Sequence, residues 1–323
     1  MSPPLLQVRD LWVDFDSGGR RVHATRGVTF SLEARDRLGI VGESGCGKST
    51  AILAVMGLLP PNAEVSGQIL LDGVDILAGG DAGMRRHRWR DIAMVFQGAM
   101  NAFNPVRSIG EQIAEPIRLH QRRSRREASE RVGELLELVG IGAGRAAQYP
   151  HEFSGGMRQR AALAMALACG PRVLLADEPT TALDVIVQAE VLELLRNVTD
   201  QLGVALVFIS HDLAAVAQVA ERVAVMYAGR IVEEGPATSV LAAARHPYTA
   251  ALLSAIPKPM SDTVMRSIPG EPPRLDLPFS GCSFASRCPS VHDVCRDLEP
   301  ADTSVGAVTV ACHLASAAGE SPR

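Results

Sequence analysis

The stretch Gly42-Glu43-Ser44-Gly45-Cys46-Gly47-Lys48-Ser49 has the spacing G-x-x-x-x-G-K-S, and Thr50 follows it directly. Ahead of it, Arg37-Leu38-Gly39-Ile40-Val41 reads as a short buried strand; after it, Thr50 to Met56 reads as a helix. Glycines at these positions let successive backbone N–H groups turn inward around phosphate oxygens, and the following helix adds its positive N-terminal end. In such a loop the lysine, here Lys48, reaches the β- and γ-phosphates, and the hydroxyl, here Ser49, takes Mg²⁺. The stretch predicts a strand–loop–helix unit that holds a nucleoside triphosphate.

Composition narrows the setting. The chain has 323 residues, 47% hydrophobic and 21% charged, which suits one large core or one large and one small. Aromatic residues make up only 4% and the net charge is −4, so neither base stacking nor a global positive field favours nucleic acid. No apolar run is long enough to span a bilayer, and the start Met1-Ser2-Pro3-Pro4 carries no export signal. Six cysteines in that context predict a reducing compartment, where thiols are free, catalytic or metal-bound.

Working outward, Leu5 to Phe15 alternates as an edge strand, and Gly27 to Glu33 and Gly67 to Gly73 give two more, predicting a small antiparallel β subdomain. Asp91 to Gln97 is a strand ending on glutamine. From about 105 to 170 the pattern turns helical, with Ala128, Val132, Leu135, Leu136 and Val139 on one face. The run Arg122-Arg123-Ser124-Arg125-Arg126 within it is either a phosphate or headgroup contact or a solvated helix start. Strand and helix then alternate again: Val173 to Asp177, a helix over Val185 to Leu202, Val204 to Ser210, and a hairpin over Arg222 to Glu234. After Gly235-Pro236 the chain becomes proline-rich. The expected division is 1–235 as the nucleotide-binding domain and 236–323 as a small extension.

Two further elements carry chemistry. Asp177, closing a buried apolar strand, suits a water-mediated hold on Mg²⁺, and the adjacent Glu178 suits a base that polarises the attacking water. Ser154-Gly155-Gly156 opens a helix, so it is either an ordinary N-cap or a second anion site. Because the first loop already serves a nucleotide, a second γ-phosphate clamp suggests two such domains facing each other.

The order of phosphate loop, Gln97, Ser154-Gly155-Gly156, Asp177-Glu178, Ala182-Leu183-Asp184 and Ser210-His211-Asp212 resembles the ATP-binding cassette of ABC transporters over residues 5–235. The resemblance implies an α/β P-loop NTPase fold: a RecA-like parallel sheet core, an antiparallel β subdomain and a helical subdomain. It implies that ATP and Mg²⁺ are the cofactors and that Gln97 senses the γ-phosphate, approaches Mg²⁺ and couples to the permease. Asp184 crosses the dimer interface, and His211 holds the γ-phosphate and the water. Phe15 is expected to stack on adenine, with a core strand residue as the other reading; His211 by itself equally suits a structural histidine. Two departures stand out: Met157 replaces the usual signature glutamine, and Gly98-Ala99 replaces an Asp-Pro pair. Cys46 fills a small-residue slot, where it is either merely tolerated or a point at which an alkylating or oxidising reagent could block the site.

Residues 246–257, Gly270-Glu271-Pro272-Pro273 and Gly281 to Pro289 resemble the tail of the oligopeptide/dipeptide importer ATPases. That branch can carry a [4Fe–4S] cluster, which the resemblance puts on Cys282, Cys288, Cys295 and Cys312, with Zn²⁺ or four free thiols as the alternatives. The expected protein is an ATPase subunit on the cytoplasmic face of the membrane. It would work with two permease subunits, a second ATPase subunit and an extracellular peptide-binding protein, without nucleic acid. A soluble ABC-type ATPase acting on nucleic acid or ribosomes is the rival, and nickel or glutathione is the rival cargo.

Overall fold

The computed structural model describes residues 3–98, 102–181, 183–255 and 268–317. Ala182, Ala99 and the end of the tail motif, Ile256-Pro257, lie outside the described residues. The chain forms two compact units that interleave in sequence. One comprises residues up to Leu6, Ser31–Arg37 and Leu70–Ile209; the other comprises Gln7–Phe30, Leu38–Ile69 and the described residues from Ser210 onward.

The first unit is built on parallel strands. Ile92–Val95 pairs with Val173–Asp177, which pairs with Ala205–Ser210, in the registers Ile92↔Val173 and Val173↔Ala205. Every residue of Val173–Asp177 is buried, as a strand covered on both faces requires. The helix Val185–Leu202 links two of these strands. It buries Val191, Leu192, Leu195 and Val198 on one face and stops at Gly203, whose φ of 67° suits a C-cap glycine.

The expected helical segment is present, with helices Ile109–Gln121, Arg125–Leu138 and Gly155–Ala166. Ser108 with Glu111, and Ser124 with Glu127, form capping boxes that fix where the first two begin. The arginine run marks their junction. Arg122 ends one helix in a left-handed conformation, and Ser124 caps the next.

In the second unit, Arg37–Val41 pairs parallel with Arg222–Tyr227, which turns through Ala228-Gly229 into the antiparallel strand Arg230–Pro236. Leu6–Ser17 lies between Arg20–Leu32 and Ala63–Leu71 in a separate sheet. Beyond Pro236 the chain returns to this unit. Val308–Val310 adds to the edge of Arg230–Pro236 with Glu233 opposite Val310, and Thr303–Val305 pairs outside it. The segment Arg274–Phe279 lies against Arg20–Leu32. There the His23 N–H donates to the Leu275 carbonyl (2.9 Å), Arg20 pairs with Asp276 (3.2 Å), and the Arg26 guanidinium stacks 3.9 Å from the Phe279 ring centre. Among the described residues, no helix is long and apolar enough to cross a membrane.

Candidate functional site

The phosphate loop is shaped by its glycines. Gly47 has a φ of 104° and precedes the helix Lys48–Met56; a Cβ there would stand 2.2 Å from the Ala24 carbonyl oxygen. A Cβ on Gly42 would meet the Met226 carbonyl oxygen at 2.1 Å, so the loop lies directly on the end of the Arg222–Tyr227 strand. No side chain caps the helix Lys48–Met56. Its first N–H groups therefore have no side-chain acceptor from the cap position.

Lys48 is buried, and its Nζ donates to the carbonyls of Gly42 (2.7 Å) and Glu43 (3.0 Å). An ammonium held by neutral carbonyls keeps its charge uncompensated for an arriving anion. Ser49 and Thr50 are half-buried at the helix start, while Ser44 and Gly45 are exposed. In the same unit, Phe15 is half-buried on Leu6–Ser17, and His211 is exposed just ahead of the helix Leu213–Val219, which Asp212 caps through the Ala214 N–H (2.8 Å).

Of the two readings of Cys46, a residue merely tolerated in its small slot or a point of attack for a reagent, its burial favours the first. It is 6% exposed, and burial pushes its thiol pKa up against the lowering pull of Lys48. Burial and a raised pKa both disfavour the thiolate that reacts.

The other unit carries the carboxylates. Asp177 is buried at the end of its strand, and Glu178 follows with a φ of 42°, its N–H donating to the Ile209 carbonyl (3.0 Å). A positive φ on a non-glycine residue is costly backbone. Gln97 Nε2 and Thr181 Oγ1 both donate to Glu178 Oε2 at 3.0 Å. Gln97 and Glu178, 81 residues apart, are thus brought together.

Ser154 accepts the Met157 N–H (3.3 Å) as N-cap of Gly155–Ala166. A Cβ on Gly156 would meet Val187 Cγ1 at 2.5 Å, so this helix start packs on the start of Val185–Leu202. Asp184 caps that second helix, accepting from the N–H groups of Ile186 (3.1 Å) and Val187 (3.0 Å).

The iron–sulfur expectation does not hold. Cys282, Cys288, Cys295 and Cys312 border one void, but its volume is only about 10 Å³, space for a single water at most. Among the described residues no group of three or more His, Cys, Asp or Glu side chains is arranged to hold a metal ion, which removes the zinc alternative as well.

The tail contributes something the motifs did not announce. The Tyr248 hydroxyl accepts the Glu43 N–H (2.9 Å), and Arg287 grips the Glu43 carboxylate through two bonds of 2.7 and 2.9 Å. Both residues sit inside stretches singled out above, yet nothing in their spacing points to the phosphate loop.

Comparison with known proteins agrees with this geometry. Residues 25–181 match the ABC transporter family, and residues 232–295 match the oligopeptide/dipeptide transporter C-terminal region. The "Probable peptide ABC transporter ATP-binding protein y4tR" of Sinorhizobium fredii is 47% identical over 302 residues, covering 92% of this chain and 90% of that protein. The dipeptide transport ATP-binding protein DppD of Bacillus subtilis is 46% identical over 304 residues, covering 93% and 91%. Among solved structures, the ATP-binding cassette MJ0796, dimeric in a post-hydrolysis state with ADP and Pi, is similar with a TM-score of 0.64 and 26% identity. That match covers 72% of this chain and 98% of the cassette. The chain belongs to the ATP-binding proteins of ABC transporters, in the oligopeptide/dipeptide transporter branch.

Proposed function

We propose that this chain is the ATP-hydrolysing subunit of an importer for di- or oligopeptides, acting at the cytoplasmic face of the membrane. The observation that carries the reading is the phosphate loop, with its uncapped helix start and its buried Lys48 held by the Gly42 and Glu43 carbonyls and the Cys46 sulfur, in a chain so similar to dipeptide-transport ATPases. The subunit works with a second ATPase subunit and two permeases, and an extracellular binding protein delivers the cargo.

The residue roles follow from side-chain chemistry. Backbone N–H groups from Gly45 to Thr50 and the Lys48 ammonium bind phosphate oxygens, and Phe15 stacks on adenine. Ser49, Gln97 and Asp177 carry the hard oxygen donors that Mg²⁺ takes, and the ion supplies neutralisation of phosphate charge when bound. Gln97 donates its Nε2 to Glu178, an orientation that leaves Oε1 for the cation. Glu178, held by Gln97 and Thr181, orients the attacking water and takes its proton. His211 steadies the γ-phosphate. Ser154, Gly155, Gly156 and Asp184 serve the nucleotide bound by the partner ATPase.

The test is affinity purification of the tagged chain from gently solubilised membranes, followed by mass spectrometry. Two multi-span permeases and a second ATPase are expected. Recovery of ribosomal or nucleic-acid-bound proteins without a permease would contradict the reading.

A further inference from the structure

Glu43 is an anomaly of charge. It places a carboxylate as the second residue of a loop whose task, on the reading above, is to hold a polyanion. Arg287 answers it from the other end of the chain. Its side chain is 3% exposed, and its Nη1 and Nη2 make the two bonds to Glu43 described above.

The rest of the guanidinium is also fixed. Nε donates to the Pro269 carbonyl (2.9 Å), and Nη1 makes a second contact with the Tyr227 hydroxyl (3.3 Å). A planar fork committed at every edge has one orientation, which lysine could not reproduce. The bond to Glu43 more than offsets burial and raises the guanidinium pKa further. Behind it, Tyr227, Tyr248 and Phe284 pack ring on ring with centres 4.4 to 5.4 Å apart, and Tyr248 takes the Glu43 N–H. The same Glu43 offers its carbonyl to Lys48. One residue of the loop is therefore held at its N–H, its carboxylate and its carbonyl.

We propose that Arg287 is a positioning residue for ATP binding: the C-terminal segment neutralises and orients Glu43, so that its carboxylate does not offset the Lys48 ammonium that receives the triphosphate. Arg287 touches no substrate; it acts through Glu43. The proposal rests on the phosphate loop being the ATP site.

The test is equilibrium binding of a fluorescent ATP analogue to the full chain, with folding checked by circular dichroism. Arg287→Met leaves Glu43 uncompensated and is expected to weaken binding about tenfold, less at high salt. Arg287→Met combined with Glu43→Gln removes both charges and should return affinity to within about twofold of wild type. Glu43→Gln alone leaves the arginine charge beside the loop and should tighten binding a few-fold, which keeps the proposal testable if Arg287→Met fails to fold. A double variant as weak as Arg287→Met, unchanged binding in Arg287→Met, or weaker binding in Glu43→Gln would each overturn the clamp. A wild-type chain that does not bind the analogue would overturn the phosphate-loop reading, and this proposal with it.

Discussion

Two helix starts in this protein offer backbone N–H groups, and they are finished differently. Lys48–Met56 begins at Gly47 in a left-handed conformation with no side-chain cap, while Gly155–Ala166 begins at Ser154, whose hydroxyl takes the Met157 N–H. The neighbouring Val185–Leu202 is likewise closed by Asp184. An uncapped helix start keeps its donors and its positive end for a ligand; a capped one satisfies part of that demand internally. On the proposed function, the first would hold an anion within the chain, and the second would add a contact to the nucleotide of the partner ATPase.

The sharpest way to break this contrast is Gly47→Ala. The new Cβ would enter the space of the Ala24 carbonyl at a φ that alanine resists, at a strain of ~2–3 kcal/mol. Affinity for the ATP analogue should fall by about a hundredfold with the fold retained; unchanged affinity would remove the loop from the site. Gly156→Ala probes the other helix start. Its Cβ meets Val187 Cγ1 at 2.5 Å, so the two packed helix starts must separate. Here nucleotide binding by the isolated chain should stay within about twofold, while turnover by the assembled complex drops by about tenfold or more. Equal loss of binding in both variants would erase the distinction.

A smaller effect sharpens the picture of what backs the phosphate loop. His246 is 2% exposed and accepts the Tyr248 N–H (3.0 Å), and burial, aided by the Arg230 charge, pulls its pKa down to about 4. The unfolded chain takes up this proton near pH ~6.5 and the folded chain does not. The resulting stability is complete above that pH and is lost as pH falls towards about 4, amounting to roughly 3 kcal/mol. Urea unfolding at about pH 7 and about pH 4.5 should show the loss. His246→Asn, which can still accept from Tyr248, should flatten the slope; an unaltered slope would place the titration elsewhere.

What the sequence made readable was local. The phosphate loop, the helix Val185–Leu202 and the hairpin Arg222–Tyr227 with Arg230–Pro236 are each decided within a short window, by glycine placement, apolar period or a tight turn. The cysteines were misread because a ligand set depends on side-chain distances that spacing does not supply, and the void they border is too small to hold a cluster. Arg287 and Tyr248 were missed for the same reason in reverse. Glu43 and Arg287 lie 244 residues apart, and only the folding-back of the tail joins them. The strands Thr303–Val305 and Val308–Val310 are three residues each, too short to carry a period, and owe their place to the open edge of Arg230–Pro236.

The proposed function has this chain hold ATP at its own phosphate loop and cleave it with Glu178. The most direct measurement compares wild type and Glu178→Gln in the purified membrane complex, following phosphate release and binding of the ATP analogue together. Loss of the base predicts unchanged binding, with phosphate release reduced by ~10²-fold or more. Near-wild-type phosphate release from Glu178→Gln would contradict the role of Glu178 as the base.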